Sequence, residues 1–394
     1  MLSRLIALSV ALTLTVTLGA CASGARSTFD IQDREGARPM GLVARPLHPL
    51  RIYLDDEDRT RIFQQAFRDG VPVGPDGRLD FIALSGGGSN GAFTAGLMKG
   101  WTETGERPDF EVVTGVSTGA LAAPFVFLGP DYDDELAEAY TGGAAANLLQ
   151  LRGLGALRGS GIYKGEPLRE LITRYVDEAL LRAVAAEYAK GRLLLVATTD
   201  LDSQRGVSWD MGAIASLGTP EALELFRNVL TASASIPGAF PPVLIQSTNA
   251  GLEFEEMHVD GGVTVPFLAV PETLWSFREP SDTLKGARFY VVINGRTNPV
   301  FDITRDTPQG VLGRSLDTLL RASVLTNLAG NAAFADRNSL FFRYAALPAD
   351  NQASSLDFSV ESMRDVFEVG RQGVLSGDIW RGNLNQEMVQ PVDE

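Results

Sequence analysis

Three short clusters place reactive groups beside bare backbone: Ser85-Gly86-Gly87-Gly88-Ser89-Asn90-Gly91, Gly115-Val116-Ser117-Thr118-Gly119 and Asp260-Gly261-Gly262. The middle cluster is a hydroxyl between two glycines, the spacing of a serine nucleophile on a tight turn from strand to helix. Such a turn strains the serine backbone, and Gly115 and Gly119 stand where a Cβ would clash. The Ser117 hydroxyl is then exposed at the carboxyl edge of a sheet, at the positive end of the next helix. In a chain with 41 glycines the pattern alone is weak. It is strengthened by the apolar run 110–114 before it and the apolar helical run from Ala120 after it.

The first cluster leaves backbone N–H groups uncovered at a helix N-terminus, a nest for a phosphate or for the oxyanion of a tetrahedral intermediate. Gly86, Gly88 and Gly91 also fit the G-x-G-x-x-G pattern of dinucleotide sites. That reading lacks the acidic residue at the end of the second strand: Glu111 lies at its start, and the serine turn occupies its end. The third cluster follows the alternating run Phe254, Met257, Val259, which puts the Asp260 carboxylate at a strand end. Asp-Gly is equally an ordinary turn pair.

To hold three loops on one edge, the chain needs a sheet with parallel strands. Apolar runs at 79–84, 110–114, 192–198, 254–259, 287–293 and 340–345 alternate with helical patterns at 92–103, 118–128, 133–140, 166–190 with a break, 219–234, 310–338 and 359–374. This alternation predicts an α/β fold with a mostly parallel central sheet covered by helices. A further helix is expected over 54–69, with Ile62, Phe63, Ala66 and Phe67 on one face.

There are only two histidines. His48 lies near the N-terminus, and His258 shares a strand face with Asp260, two residues on. A triad in the order serine, acid, histidine would use Ser117, then Asp200 or Asp202, then His258, but no loop frees His258 to reach across. A Ser-Asp pair needs no histidine. It does need a carboxylate basic enough to accept a serine proton, and burial of Asp260 would supply that. Asp200 and Asp202 have no histidine or cysteine nearby, so a solvated loop is expected there and no metal.

In order and content the clusters resemble the patatin-like phospholipase family: a glycine-rich loop, then G-x-S-x-G, then D-G-G. The resemblance covers residues 79 to about 266 and includes the segment 231–243, which in that family helps wall the active site. It implies a three-layer α/β/α sandwich and a cofactor-free serine acyl hydrolase acting on lipid esters. In that scheme Ser117 attacks the ester carbonyl, Asp260 takes its proton, and Gly86, Gly87 and Gly88 donate N–H groups to the oxyanion. Asn90 is a departure, since the family usually carries Lys or Arg there. Phe93, Phe125, Phe127, Phe240 and Phe267 are candidates to line an acyl pocket, though core packing explains such residues more often than not. The same clusters fit an acyltransferase. A different class of function is a catalytically silent lipoprotein that binds lipid or scaffolds a complex.

At the N-terminus Arg4 precedes an apolar run, 5–18, that is too short to span a bilayer and reads as a signal-peptide core. It ends in Leu18-Gly19-Ala20-Cys21, which resembles the lipobox of bacterial lipoproteins, and Cys21 is the only cysteine of 394 residues. The expectation is an exported, envelope-located protein anchored to a membrane by acylated Cys21. The expected divisions are a signal peptide (1–20), a tether and helical extension (21–78), a catalytic domain (79–347) and a C-terminal helical extension (348–394). The formal charge of −15 includes Arg4 as the only charge in the signal, so the remainder carries −16. Such an acidic body disfavours nucleic acid and is repelled by anionic lipid, so membrane residence would rest on the acyl chains.

Overall fold

The computed structural model describes residues 26–45, 48–56, 73–74, 77–153, 160–269, 286–301 and 303–382. The signal segment, Cys21 and the apolar positions of the helix expected over 54–69 lie outside them.

Ten strands form one sheet: β1 (Arg38–Pro39), β2 (Arg51–Tyr53), β3 (Asp80–Leu84), β4 (Val112–Val116), β5 (Leu193–Asp200), β6 (Arg205–Asp210), β7 (Val243–Asn249), β8 (Leu252–Asp260), β9 (Arg288–Ile293) and β10 (Phe341–Ala346). Their path is β1-β7-β8-β5-β4-β3-β9-β10, with β6 between β5 and β2. The strands β5-β4-β3-β9-β10 run parallel, and antiparallel strands extend the sheet beyond β5.

The longer helices are α1 (Gly91–Thr104), α2 (Thr118–Leu128), α3 (Asp133–Thr141), α4 (Glu166–Tyr175), α5 (Glu178–Tyr188), α6 (Pro220–Ser233), α7 (Pro308–Arg337) and α8 (Val360–Leu375). Local chemistry sets their ends. Asp177 accepts from the N–H groups of Ala179 and Leu180, so it caps α5 and breaks the 166–190 stretch in two. Thr219 caps α6 with Pro220 in its first turn.

Alternation along the strands fills two layers. Ile82, Leu84 and Val113 point into a core shared with α1 to α6 and α8, whereas Phe81, Ala83 and Val112 point into one shared with α7. The sheet therefore has helices on both sides. In the first layer α8 lies against α1 with almost no space between them. A Cβ on Gly96 would run into the Phe367 carbonyl and one on Gly370 into the Phe93 carbonyl. The stretch expected to be a C-terminal extension is thus part of the sandwich.

The expected tether also differs. β1 pairs with β7 and β2 with β6, and this segment is fastened by ion pairs. Arg34 bonds Asp200 at 2.9 Å, and Arg51 grips Glu256 through its two terminal guanidinium nitrogens, all four side chains being buried. Charges removed from water must be paired, so these residues are held as a strap rather than a free linker. The strands β1, β2, β6 and β7 carry no long apolar run, and their sequences did not announce them.

Candidate active site

Ser117 stands between β4 and α2 with φ 55° and ψ −125°, a left-handed conformation strained for a residue with a Cβ. The turn is so tight that a Cβ on Gly115 would meet the backbone of Gly119 and Ala120, and one on Gly119 the Leu84 carbonyl. The Ser117 N–H donates to the Ser233 hydroxyl at 2.9 Å, which donates in turn to the Ala197 carbonyl at 2.7 Å. Tyr140 braces the next residue, its hydroxyl donating to the Thr118 carbonyl at 2.9 Å.

Sheet topology brings Asp260 to this serine. β6 occupies one edge of β5 from Leu195 to Asp200. On the other edge β4 pairs as far as Val116 with Ala197, and then turns away as Ser117. The vacated edge is taken by β8, with Asp260 opposite Thr198, the next residue along. One strand edge thus passes from the nucleophile's strand to the acid's strand without a gap. The Asp260 N–H is anchored on the Ser235 carbonyl at 3.0 Å.

Burial pushes the Asp260 carboxyl up to about 6, opposed by its hydrogen-bonding neighbour, the Ser117 hydroxyl, and by the Gly262 N–H at 2.7 Å. The carboxylate is therefore a stronger base than an ordinary aspartate yet ionised at neutral pH.

The glycine loop lies across from the serine between β3 and α1. Its three glycines are not equivalent. The Gly86 N–H is taken by the Pro266 carbonyl at 3.2 Å, and its α-carbon packs so closely that a Cβ would sit 3.1 Å from that of Ser117. Among the described residues no partner occupies the N–H of Gly87 or Gly88. Gly88 has φ 58° and is backed by the Ser355 carbonyl, and Gly87 lies on the Asn294 backbone. Asn294 fixes both ends of the loop, its Nδ2 donating to the Ser85 carbonyl at 2.8 Å and its Oδ1 accepting from the Thr94 hydroxyl at 2.7 Å. Asn90, where a cation was the family's usual choice, is buried with its Oδ1 unpartnered.

A cleft of about 70 Å³ opens beside Gly88 and Ser117, with a lining that is almost wholly apolar, including Leu121, Phe125, Ile172, Ile236 and Phe240. Two of the five phenylalanines expected at a pocket, Phe125 and Phe240, reach it. Phe93, Phe127 and Phe267 are buried in the core. From the segment 231–243, Ala234, Ile236 and Phe240 line the cleft and Ser233 holds the elbow.

His258 is not brought to the serine. Fully buried, it bonds the Thr198 hydroxyl at 3.0 Å and lies 3.5 Å from Glu256, stacked edge-on against Trp209. His48 is bonded instead to the Tyr188 hydroxyl at 3.0 Å. Of the two aspartates expected in a solvated loop, Asp200 ends β5 and is buried on Arg34, whereas Asp202 lies in the exposed turn that follows and accepts two bonds from Arg26 at 2.8 and 2.6 Å. Among the described residues no group of three or more His, Cys, Asp or Glu side chains could hold a metal ion, and no helix is long and apolar enough to cross a membrane.

Sequence reasoning did not single out Ser233, Tyr140, Asn294 or the 354–355 carbonyls. Each acts through a contact between segments distant in the chain, and no local spacing signals that.

Residues 82–271 match the family model described as patatin-like phospholipase. Among solved structures, VipD from Legionella pneumophila aligns with a TM-score of 0.41 and 12% identity over 78% of this chain and 70% of VipD. The type III effector protein ExoU aligns with a TM-score of 0.25 and 16% identity over 80% of this chain and 57% of ExoU. Both likenesses are too distant to bear on mechanism. No curated protein matches at a significant level. By this match the stretch 82–271 carries a patatin-like phospholipase domain.

Proposed function

We propose that this patatin-like chain is a serine acyl hydrolase that cleaves carboxylic esters of lipids through Ser117 and Asp260. The observation that carries the reading is the serine on a strained elbow beside a buried carboxyl raised to about 6, at the head of an apolar cleft. Asp260 removes the Ser117 proton as Oγ attacks the ester carbonyl. The negative charge that develops is met by the N–H groups of Gly87 and Gly88. Removing one donor of this kind typically lowers a rate about 10²- to 10³-fold. As the tetrahedral intermediate collapses, Asp260 returns its proton to the departing alcohol and an acyl-enzyme remains. Water, deprotonated by the same carboxylate, then releases the fatty acid.

The test is hydrolysis of p-nitrophenyl esters and of a phospholipid, with labelling by a fluorophosphonate probe. Ser117→Ala should abolish labelling, and Asp260→Asn should abolish turnover with the fold intact. His258→Gln should keep its activity, since His258 bonds neither reacting group. An inactive His258→Gln that folds and melts like wild type would sink the dyad. Folded wild type that neither labels nor turns over would favour the silent lipid-binding lipoprotein, and product analysis with an added alcohol separates hydrolase from acyltransferase.

We also propose that acylated Cys21 anchors the protein to the envelope membrane. Arg26 is fastened to Asp202 and to the Glu255 carbonyl, beyond the end of β5 and so on the Ser117 edge of the sheet. Only residues 22–25 would separate anchor from body, a reach of about 15–18 Å. Cys21→Ser should move the protein from the membrane to the soluble fraction; retention in the membrane would refute the anchor.

A further inference from the structure

Part of the cleft comes from outside the stretch that matches the family. Gly88 and Ser117 at its head lie within residues 82–271, but Phe358 and Met363 also line it. These two residues follow β10 by more than ten positions and belong to the loop before α8 and to its first turn.

The segment is fixed in three ways. The Ser89 N–H donates to the Ser355 carbonyl at 2.9 Å and the Ser89 hydroxyl to the Ser354 carbonyl at 3.0 Å, so the loop is tied directly to the glycine cluster. The Ser355 carbonyl also fills the space that a Cβ on Gly88 would need. Just beyond, Ser359 caps α8, and α8 is locked onto α1 by the close approach at Gly96 and Gly370. Met363 is 1% exposed, and Phe358 packs against the same core. A wall held this firmly cannot move aside for a bulky ligand without breaking contacts to the oxyanion loop.

We propose that the segment 354–363 is the specificity wall of the acyl pocket, with Phe358 and Met363 setting the bulk of the acyl chain admitted beside Ser117. The proposal rests on the hydrolase reading for its substrate class. It assigns to residues beyond the matched stretch the choice among lipid acyl chains, whereas the chemistry belongs to Ser117, Asp260 and the glycine loop. Because the same segment backs Gly88, an ill-fitting chain that pushes on Phe358 also strains the oxyanion donors, so selection should appear in kcat as well as in KM.

The experiment compares Phe358→Ala, Phe358→Trp and Met363→Ala with wild type on p-nitrophenyl esters from acetate to palmitate, each normalised to the fraction titrated by a fluorophosphonate. In Phe358→Ala the ratio of kcat/KM for long over short chains should rise about tenfold, and in Phe358→Trp it should fall by a similar factor, since one methylene of pocket space is worth at least that much. Rates that change in parallel at all chain lengths, or a ratio that moves the same way in both Phe358 variants, would overturn the proposal. A second readout is independent of turnover. In the Ser117→Ala background, octanoate and palmitate are competed against bound cis-parinaric acid, and the same opposite shifts in preference are expected. If wild type hydrolyses no ester but these binding preferences shift as stated, the hydrolase reading fails and the wall stands. If esters are cleaved but no preference shifts, the wall fails alone.

Discussion

The Ser233 hydroxyl accepts a hydrogen bond from the backbone N–H of Ser117 at 2.9 Å and donates one to the Ala197 carbonyl at 2.7 Å. A side chain from the end of α6 thus bridges the nucleophile's strained turn to β5, the strand on whose free edge Asp260 is seated. Ser233→Ala leaves a buried donor and acceptor unsatisfied, a loss of about 1–3 kcal/mol. We expect a lower melting temperature and a fall in kcat of about tenfold with KM little changed. Steady-state kinetics and a thermal melt check this; a change confined to stability would make Ser233 structural only.

Activity should depend on pH through Asp260. The base must be ionised, and its carboxyl lies at about 6, so kcat/KM should climb with pH through a single limb near that value and level off above it. A rate profile from pH 4 to 8 on a soluble ester checks this. A limb near 4 would mean that burial does not raise the Asp260 carboxyl, and a rate independent of pH over this range would mean that Asp260 is not the base.

The same shift bears on stability with the opposite sign from a salt-bridged aspartate. The folded state binds the proton more tightly than the unfolded state, whose aspartate titrates near 4. Stability is therefore greatest below that value, declines as pH rises from about 4 to 6, and stays reduced above it. Asp260→Asn removes the penalty of ionising a buried carboxyl, so at pH 7.5 the inactive variant should be at least as stable as wild type. The gain could reach on the order of 3 kcal/mol. At pH 4 the difference should vanish. Urea denaturation at both pH values measures it.

Gly86→Ala tests the packing of loop against nucleophile. The new Cβ would sit 3.1 Å from the Ser117 Cβ and 3.7 Å from its Oγ, tight enough that one of the two must move by a few tenths of an ångström. We expect a folded protein with kcat reduced by about 10²-fold, because small displacements of reacting atoms are expensive. Fluorophosphonate labelling should slow in parallel.

Arg51→Met tests the strap. It would leave Glu256, which is 0% exposed, without the guanidinium that holds its carboxyl well below the usual range despite burial. The expected loss is about 3–5 kcal/mol, and Arg51→Met combined with Glu256→Leu should recover most of it. Chemical denaturation of the single and double variants decides this.

What could be read in the chain was whatever is local. The apolar runs of the parallel strands, the helices, the existence of a break within 166–190 and the three glycine-bearing clusters each follow from neighbours within a few residues, because helix capping, strand alternation and tight turns are short-range effects. The resemblance to the patatin-like family and the α/β/α architecture it implies follow from those clusters in order. The tertiary structure decided which distant groups meet. β8 takes the edge that β4 abandons at Ser117, which sets Asp260 beside the serine and leaves His258 in a separate buried network. The described residues from 26 to 56 become a strap because Arg34 and Arg51 find buried carboxylates 166 and 205 residues away. The Gly86 N–H is spent on Pro266, and a C-terminal loop walls the cleft. None of these follows from spacing along the chain, because hydrogen-bond partners and buried charges are assigned by packing, and packing is settled only when the whole sheet has closed.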